Sequence, residues 1–375
     1  MNRYSDYQAI ILAAGCSRRM KAFKPLLPLG NTCILEHTID NFIRAGIRRI
    51  IVVVGYRRGE LIPFLIRKRV QYVINSRYED LDMFESVRLG VEALQDDCRG
   101  FLLCPGDIPL IMPYTIQRVI EEREKTQALV VMPSYRGESG HPPVMSREVI
   151  PSIRNYRGEE GLRGVLQRYE ADTRYVEVPD REMLYDMDMP EDYERLKTAY
   201  ARREIPDLEV CEDIFRHRQT PETIQNHART VAGLALEIGE KINTVCREKK
   251  LPQLSLDLLQ AAGLLHDIAR MEKHHARAGA NLLRKMGFDR TAWVVEAHKS
   301  LHHGWDLGVN EETILFLADH MVLEDRRCTL QERHQAAQKK YGDRPGLDKK
   351  LKKDAQYFET GLSLLEIFLG CALFD

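Results

Sequence analysis

The feature that most constrains this chain is a change of pattern near residue 200. Before it, short apolar runs rich in β-branched residues alternate with stretches of helical periodicity. The runs are Ala9–Leu12, Ile50–Gly55, Phe101–Cys104 and Ala128–Met132. Near-continuous apolar runs are typical of strands buried on both faces. Their alternation with helices predicts an α/β fold with a mostly parallel, Rossmann-like sheet.

After this point the strand signal almost disappears. Apolar residues with helical spacing stand at Val231, Leu234, Ala235, Ile238 and Ile242. Ser255 is a candidate N-cap for the helix before His266. Further helical patterns cover Ala276–Met286, Glu311–Leu323 and Lys349–Leu369. We therefore predict an all-α second half. In the first half, a helix is predicted at 34–46, ending at a glycine.

The length and the position of this change predict two domains. The chain has 375 residues, and a domain takes roughly 100–200. The stretch Tyr200–Asp207 is polar and contains a proline, so we place a linker there. The predicted domains are then residues 1–199 and 208–375.

Composition narrows the functional classes. The formal net charge is −1, so nothing favours nucleic acid or an anionic membrane as a partner. Eight cysteines without a CxxC pair predict free thiols rather than a disulfide framework or a zinc ribbon. The apolar C-terminal stretch carries Glu366 and is shorter than the roughly 20 residues that span a bilayer. With no leader-like segment at the N-terminus, the expected location is the cytoplasm.

A polar loop after the first predicted strand has the composition of a phosphate-binding loop. Small residues at Ala13, Ala14 and Gly15 let the backbone approach a ligand, and loop N–H groups can hold phosphate. Arg19 and Lys24 add positive charge suited to a triphosphate. Neither a Walker A loop nor GxGxxG is present. The alternative is a tight strand–helix turn with solvated basic residues.

The loop sequence LAAGCSRRMKAFK resembles the LAAGxSxRMGxxK signature of nucleotidyltransferases. The likeness is strongest to molybdopterin cytidylyltransferases, in the MobA-like NTP transferase family, and covers most of residues 7–199. It implies a nucleotide site formed by Leu12, Ala13, Ala14, Gly15, Arg19, Lys24, Asn75 and Ser86. It also implies catalytic roles for Arg19, Lys24 and Asp107. Lys21 stands where the family usually has glycine.

Two aspartates are candidate ligands for Mg²⁺ through the same resemblance. Asp107 lies in CPGDIP and resembles the family's GDxP segment at the end of a strand. Asp188 lies in DMDMPED, which resembles DIDTPED, with Met189 in place of threonine. A hard cation needs oxygen ligands, and open α/β sheets place their sites at strand ends. Considered alone, Asp107 is equally well explained as an Asx turn.

Two further segments resemble family motifs. Residues 75–90 are similar to NPxxxxGMxxSxxxG, with matches at Asn75, Met83 and Ser86. Asp82 replaces the usual glycine there. Gly140-His141-Pro142 resembles the GHP segment near the acceptor, which implies substrate binding by His141. A histidine in a loop, without that context, is more often simply exposed.

The resemblance implies a complete reaction. The phosphate of a small-molecule acceptor attacks the α-phosphorus of an NTP, and pyrophosphate leaves. CTP is implied over GTP, molybdopterin cofactor is the implied acceptor, and a molybdoenzyme is a candidate recipient of the product. A sugar-phosphate or polyol-phosphate nucleotidyltransferase is the alternative.

The second half contains a separate set of metal-ligand residues. His266 and Asp267 are adjacent at the end of an apolar helix, while His227 and Asp319 lie on other predicted helices. Three helices can converge on one ion. Two imidazoles and two carboxylates suit a divalent transition metal in a near-octahedral site. Buried carboxylates without partners would be costly, which favours a bound cation.

The order His, His-Asp, Asp over roughly residues 210–325 resembles the HD superfamily of metal-dependent phosphohydrolases. It implies that His227, His266, Asp267 and Asp319 bind an ion such as Mn²⁺ or Fe²⁺. The segment HHARAGA adds His275, and with His298 it can supply a second metal. His274, His302 and His303 are expected at the surface. Arg270 can hold a phosphate or be an ordinary surface arginine. A regulatory, nucleotide-sensing HD domain is the alternative.

Overall fold

The computed structural model describes residues 4–16, 19–20, 22–79, 83–342 and 347–373. The chain divides into two compact units, residues 1–203 and 204–375. The division falls within the stretch predicted as a linker. Whether each unit folds by itself stays a prediction.

The first unit contains ten strands and seven α-helices among its described residues. The strands are β1 Tyr7–Ala13, β2 Pro28–Leu29, β3 Thr32–Cys33, β4 Arg49–Val54, β5 Gln71–Ile74, β6 Gly100–Pro105, β7 Val130–Tyr135, β8 Glu138–Ser139, β9 Val144–Ser146 and β10 Thr173–Glu177. The helices are α1 Ile34–Arg44, α2 Arg58–Lys68, α3 Met83–Glu92, α4 Pro113–Thr126, α5 Ile150–Asn155, α6 Gly161–Gln167 and α7 Pro190–Ala201.

The main sheet is mostly parallel, which confirms the predicted fold class. Its strand order is β10-β7-β9-β6-β1-β4-β5, and β8 pairs with the last two residues of β7. The pairs β6-β1, β1-β4, β4-β5 and β10-β7 are parallel, whereas β9 is antiparallel to both of its neighbours. The apolar runs of β1, β4 and β6 form the buried centre, as expected for strands covered on both faces.

The register of the central strands decides where their loops meet. Leu12 of β1 lies opposite Pro105 of β6, and the Gly106 N–H donates to the Leu12 carbonyl at 2.9 Å. Because parallel strands end at the same edge, the loop after β1 and the loop after β6, which contains Asp107, emerge side by side. The sheet therefore brings two of the predicted motifs together.

Helix α1 shows how local sequence ends an element. Gly46, predicted to stop it, has a φ of 99°, which favours glycine. The Ile47 N–H donates to the Phe42 carbonyl at 3.0 Å, as in a Schellman motif. This ending turns the chain directly into the buried strand β4.

The second unit is helical, as predicted. Its helices are α8 Leu208–Arg218, α9 Glu222–Lys249, α10 Leu256–Leu265, α11 His275–Met286, α12 Asp289–Ala297, α13 Glu311–His320, α14 Leu330–Tyr341 and α15 Leu347–Leu369. A short antiparallel ribbon, β11 Val322–Leu323 with β12 Arg326–Arg327, follows α13. The helix predicted for 311–323 was therefore three residues too long, since the chain turns at Met321 into this ribbon.

The packing of α9 against α10 forms the centre of this unit. The α9 residues with helical spacing are buried, including Val231 and Ile238. Ser255 caps α10 by accepting from the Leu258 N–H, as predicted. A Cβ at Gly263 would lie 2.6 Å from the Ala232 Cα, so only glycine lets the two helices approach this closely. The close contact holds the end of α10 against α9.

None of the helices in the described ranges is both long enough and apolar enough to cross a membrane. All eight cysteines are free. The C-terminal helix α15 is amphipathic, with Leu365 buried and Ile367 exposed.

Asp180 is a buried carboxyl that makes the stability of the first unit depend on pH. Its Oδ2 accepts from the Met112 N–H and the Thr115 hydroxyl, whereas its Oδ1 is buried without a partner. Burial raises the pKa of Asp180 to about 7, although the hydrogen bonds from Thr115 and Met112 act to lower it. The folded state therefore holds the proton that the unfolded chain releases near pH 4.

We predict that the unfolding free energy falls as pH rises from about 4 to about 7, by a few kcal/mol, and that Asp180→Asn removes most of this slope. The amide stays neutral and can still accept the two hydrogen bonds. Urea unfolding between pH 4 and 8 measures the slope, with exposed Asp172→Asn as the control. An unchanged slope in Asp180→Asn would show that Asp180 ionises freely in the folded protein.

A second prediction concerns the end of α7. Tyr200 and Ala201, which the sequence placed in the linker, are the last residues of this helix. The Tyr200 ring lies 4.8 Å from the His37 ring and packs on a small core that includes Leu29.

We expect a fragment of residues 1–203 to fold, and a fragment ending at 199 to be less stable by about 1–2 kcal/mol, since it loses this half-buried ring. Urea unfolding of the two fragments checks the difference. The 1–203 fragment with Tyr200→Phe, which keeps the ring, is the control. Equal stability of the 1–199 and 1–203 fragments would contradict a packing role.

Candidate active site and metal centre

A cavity of about 720 Å³ lies at the carboxyl ends of the strands of the first unit. All of the residues that the sequence predicted for the transferase site line it. They are Leu12, Ala13, Ala14, Gly15, Arg19, Lys24, Asn75, Ser86, Asp107, His141 and Asp188. Residues as far apart in sequence as Leu12 and Asp188 therefore converge on one site. Lys21 and Asp82, where the sequence departs from the family signature, lie outside the described residues.

Lys24 joins the two candidate metal ligands. Its Nζ lies 3.1 Å from Asp107 Oδ2 and 2.9 Å from Asp188 Oδ1, and Arg19 also pairs with Asp188. Burial opposes the charge of Lys24, but the carboxylates of Asp107 and Asp188 outweigh it, and its pKa is raised. Two carboxylates from distant segments therefore converge on a single cation position, held here by an ammonium group.

The part of the cavity near His141 contains a residue that the sequence analysis did not single out. Asp186 lies beside Asp188 on the cavity wall. Burial, together with the charges of Asp107 and Asp188, raises its pKa. His141 faces this region with a buried Nδ1 that has no hydrogen-bond partner, and burial lowers its pKa. The Asp-x-Asp spacing in DMDMPED was the available signal for Asp186.

Asn75 and Ser86 are tied to each other. The Asn75 amide donates to Ser86 Oγ at 3.0 Å, and its oxygen accepts from the Arg77 N–H. Both side chains are buried, so they fix the shape of the cavity wall. Glu160, at the N-cap of α6, and Arg163, within α6, also line the cavity, although no sequence motif singled them out.

The second unit gathers six ligand-type side chains from five helices or their ends. His227 lies on α9, His266 and Asp267 follow α10, His275 begins α11, His298 ends α12 and Asp319 lies on α13. They form two groups: His227, His266 and Asp319, and Asp267, His275 and His298. Within each group the ligand atoms lie within 4.8 Å of one another. The sequence placed Asp267 with His227, His266 and Asp319, whereas the structure groups it with His275 and His298. That either group binds an ion stays a prediction.

Asp267 faces both groups. Its Oδ2 lies 3.5 Å from His266 Nε2 and 4.0 Å from His227 Nε2. Its Oδ1 lies 3.3 Å from His275 Nε2 and 3.6 Å from His298 Nε2. One carboxylate can therefore bridge two ions.

Two buried imidazoles are oriented as ligands. His266 Nδ1 contacts the Gly263 carbonyl at 2.8 Å, and His298 Nδ1 contacts the Val295 carbonyl at 2.7 Å. These contacts leave each Nε2 facing the cluster, where both are buried without a hydrogen-bond partner. Buried orphan nitrogens of this kind fit a metal ion, and the carbonyl contacts are the outer-shell support that metal-bound histidines use.

The electrostatics of the cluster also fit a cation. Burial lowers the pKa of His266 to about 4, so its imidazole is neutral, as ligation requires. Burial would raise the pKa of Asp319, but the nearby Lys299 and the hydrogen bond with His227 hold it well below its usual range. Lys299 Nζ lies 2.7 Å from Asp319 Oδ2. Ionised carboxylates and neutral imidazoles are thus already in place.

Of the basic and histidine residues nearby, two arginines contact the candidate metal ligands and two histidines do not. Arg270 Nη1 lies 3.2 Å from Asp267 Oδ2, and Arg333 Nη2 lies 3.7 Å from Asp319 Oδ2. His302 instead contacts Glu312 and stacks on Trp293, away from both groups, and His274 is exposed. Arg333 was missed because it lies on α14, beyond the segment that resembles the HD superfamily.

Comparison with known proteins agrees with this division. Residues 9–173 match the family described as MobA-like NTP transferase domain, and residues 224–325 match the HD domain. The chain is similar to the molybdenum cofactor cytidylyltransferase of Escherichia coli, with 28% identity over 52% of this chain and 98% of that protein. It is also similar to the bifunctional protein GlmU of Symbiobacterium thermophilum, with 37% identity over 33% of this chain.

The chain spans about a quarter, 26%, of the length of that GlmU protein. Among solved structures, a nucleotidyl transferase from Methanothermobacter is similar at 26% identity and a TM-score of 0.47. The similarity covers 52% of this chain and 98% of that one.

The bridging position of Asp267 generates a prediction about metal stoichiometry. We expect two divalent ions per chain in the wild type, about one in His275→Ala and close to none in Asp267→Ala, because only Asp267 serves both groups. Elemental analysis after purification without chelator measures this. His302→Ala, outside the cluster, should retain two. Loss of a single ion in Asp267→Ala would show that the carboxylate does not bridge.

Proposed function

We propose two enzymatic activities for this chain, which joins a MobA-like NTP transferase domain to an HD domain. The first domain transfers a nucleotide, CMP from CTP, to a phosphorylated acceptor such as molybdopterin cofactor and releases pyrophosphate. The HD domain is a metal-dependent phosphohydrolase. The product of the transfer would pass to a molybdoenzyme.

A single observation carries the transferase proposal. One cavity collects the loop after β1, the two carboxylates Asp107 and Asp188, and the acceptor-side His141. The similarity to a molybdenum cofactor cytidylyltransferase over nearly its whole length supports CTP and a molybdopterin acceptor.

The residues present fit Mg²⁺ in this cavity. Asp107 and Asp188 offer oxygen ligands at a position now held by the Lys24 ammonium, and hard cations prefer such ligands. When bound, Mg²⁺ would neutralise charge that develops on the triphosphate. The two aspartates would be its protein ligands.

The chain's own residues would then act on charge and position. Displaced from the carboxylates, Lys24 and Arg19 can hold the triphosphate oxygens. An oxygen of the acceptor phosphate forms a bond to the α-phosphorus, and the bond from that phosphorus to the β-phosphate bridging oxygen breaks. The neutral imidazole of His141 can hydrogen-bond the acceptor, so no protein nucleophile is required.

We call the six ligand-type side chains of the second unit the HD cluster: His227, His266, Asp267, His275, His298 and Asp319. This cluster fits two divalent ions of the Mn²⁺ or Fe²⁺ type. Its donor set is two histidines and Asp319 at one position, two histidines at the other, and Asp267 between them. Bound ions would lower the pKa of a coordinated water and clamp phosphoryl oxygens. Arg270 and Arg333 line the cavity beside the cluster and can orient a phosphate group.

The alternatives predict different results. A sugar-phosphate or polyol-phosphate nucleotidyltransferase would release pyrophosphate with those acceptors instead of molybdopterin. A regulatory HD domain would bind metal and nucleotide but hydrolyse no phosphate ester. Both are decided by supplying each NTP with each acceptor class and by assaying hydrolysis separately.

We predict that Asp107→Ala lowers pyrophosphate release from CTP, Mg²⁺ and molybdopterin cofactor by about a hundredfold or more, since it removes a ligand at the site of charge development. The metal content of the HD cluster should not change. Asp96→Ala, an exposed carboxyl of the same unit, is the matched control and should behave as the wild type. Normal release by Asp107→Ala would refute the assignment of this cavity as the transferase site.

A further inference from the structure

Two cavities adjoin at the HD cluster. The α9 cavity, of about 850 Å³, lies beside His227 and has apolar walls from Ile224 and Val322. The α15 cavity, of about 870 Å³, lies beside His275 and has aromatic walls from Phe316 and Tyr357. Three residues line both cavities: Arg270, Arg333 and Ala337. The two spaces therefore meet where the cationic side chains and the metal ligands are concentrated.

Each cavity reaches a different metal group. His227 and Asp319 of the first group face the α9 cavity, and His275 of the second group faces the α15 cavity, together with Lys299. Ions bridged by one carboxylate typically lie about 3.5–4 Å apart. Two linked phosphoryl groups, one over each metal position, match that arrangement.

Charge and volume point to a ligand with two organic parts. Lys339 adds positive charge to the α9 cavity and Lys353 to the α15 cavity. Apart from the candidate metal ligands Asp267 and Asp319, each cavity has one acidic lining residue, Glu324 or Asp354. A cavity of roughly 300–1,000 Å³ holds a whole small-molecule ligand. A simple phosphomonoester would thus fill one cavity and leave the other vacant.

We propose that the HD site takes diesters of diphosphate, with one organic group in each cavity and the diphosphate at Arg270, Arg333 and the metal cluster. This rests on the proposed phosphohydrolase function and specifies its substrate class. The transferase step forms a compound of this class, a nucleotide joined through a diphosphate to its acceptor. The HD domain would therefore consume the class of product that the first domain makes.

The reaction is a balanced hydrolysis. A water oxygen forms a bond to one phosphorus, and the bond from that phosphorus to the bridging oxygen breaks. The bridging oxygen leaves on the second phosphate. The products are two phosphomonoesters, and the protons of water pass to the products or to solvent. No oxidant, reductant or further co-reactant is needed.

Hydrolysis by the Mn²⁺-loaded full chain tests the substrate class. CDP-choline and ADP-ribose are the diphosphate diesters, and CMP and p-nitrophenyl phosphate are the monoesters. Pyrophosphate is omitted, so the transferase cannot run in reverse. We expect kcat/KM for the diphosphate diesters to exceed that for the monoesters at least tenfold. When the water is labelled with ¹⁸O, one of the two phosphomonoester products should carry the label.

Binding supplies a readout that does not depend on turnover. The two tryptophans, Trp293 and Trp305, are both in the second unit, and the Trp305 ring lies 5.2 Å from that of Tyr357 in the α15 cavity. Tryptophan fluorescence with the methylene-bridged analogue of ADP-ribose, whose organic groups carry no positive charge, therefore reports on this unit. At low salt we expect Lys353→Glu and Lys339→Glu each to weaken binding about tenfold, because each reverses a charge that attracts the negatively charged diphosphate.

Lys352→Glu is the matched control, because Lys352 neighbours Lys353 on the same helix but lines neither cavity. It should bind the analogue as the wild type does. Monoesters hydrolysed as well as diesters would overturn this inference and leave the phosphohydrolase function standing. Binding with the expected variant pattern but no hydrolysis of any ester would refute the phosphohydrolase and keep the ligand class. Equal weakening in all three variants, or no binding, would overturn the inference.

Discussion

Carboxylates that converge need positive charge beside them, and both sites of this protein are arranged around that requirement. An unpaired buried charge costs several kcal/mol. In the first unit Lys24 lies between Asp107 and Asp188. In the second, Lys299 lies against Asp319 and Arg270 against Asp267. Under the proposed functions, Lys24 and Arg270 would also contact phosphate.

This shared arrangement has a functional reason. A cation paired with a carboxylate is held in position before a ligand arrives, so less side-chain entropy is lost on binding. If a metal ion took over the carboxylates, the same ammonium or guanidinium group would become available to phosphate oxygens. Such ion pairs would stabilise the fold in one state and the ligand in the other.

Much of the fold could be predicted from the sequence because its signals are local. The runs that became β1, β4 and β6 are continuous and apolar, Gly46 ends α1, and Ser255 caps α10. The candidate site residues could be predicted for a different reason, since they lie in short motifs with characteristic spacing. The antiparallel β9, the ribbon β11–β12 and the two-cavity arrangement could not be predicted from the sequence, because they depend on contacts between distant segments.

The residues that were missed share the same explanation. Asp186 matters because the fold buries it beside two other carboxylates, and Arg333 matters because α14 packs beside the cluster. Neither property is encoded in the immediate sequence neighbourhood. The bridging role of Asp267 is similar: a histidine-aspartate pair can be read from the sequence, but the opposite directions of its two oxygens require all five contributing segments to be in place.

The shared carboxylate also implies an order of assembly for the metal centre. The position formed by His227, His266 and Asp319 has two carboxylates available when Asp267 is counted, whereas the position of His275 and His298 has only Asp267. The more negative position should fill first, and the ion there would lower the negative charge that Asp267 offers to the next. The second ion would then be held more weakly and would keep more exchangeable coordination sites. Such a centre would pass through a one-ion form and could carry two different metals, chosen by their supply.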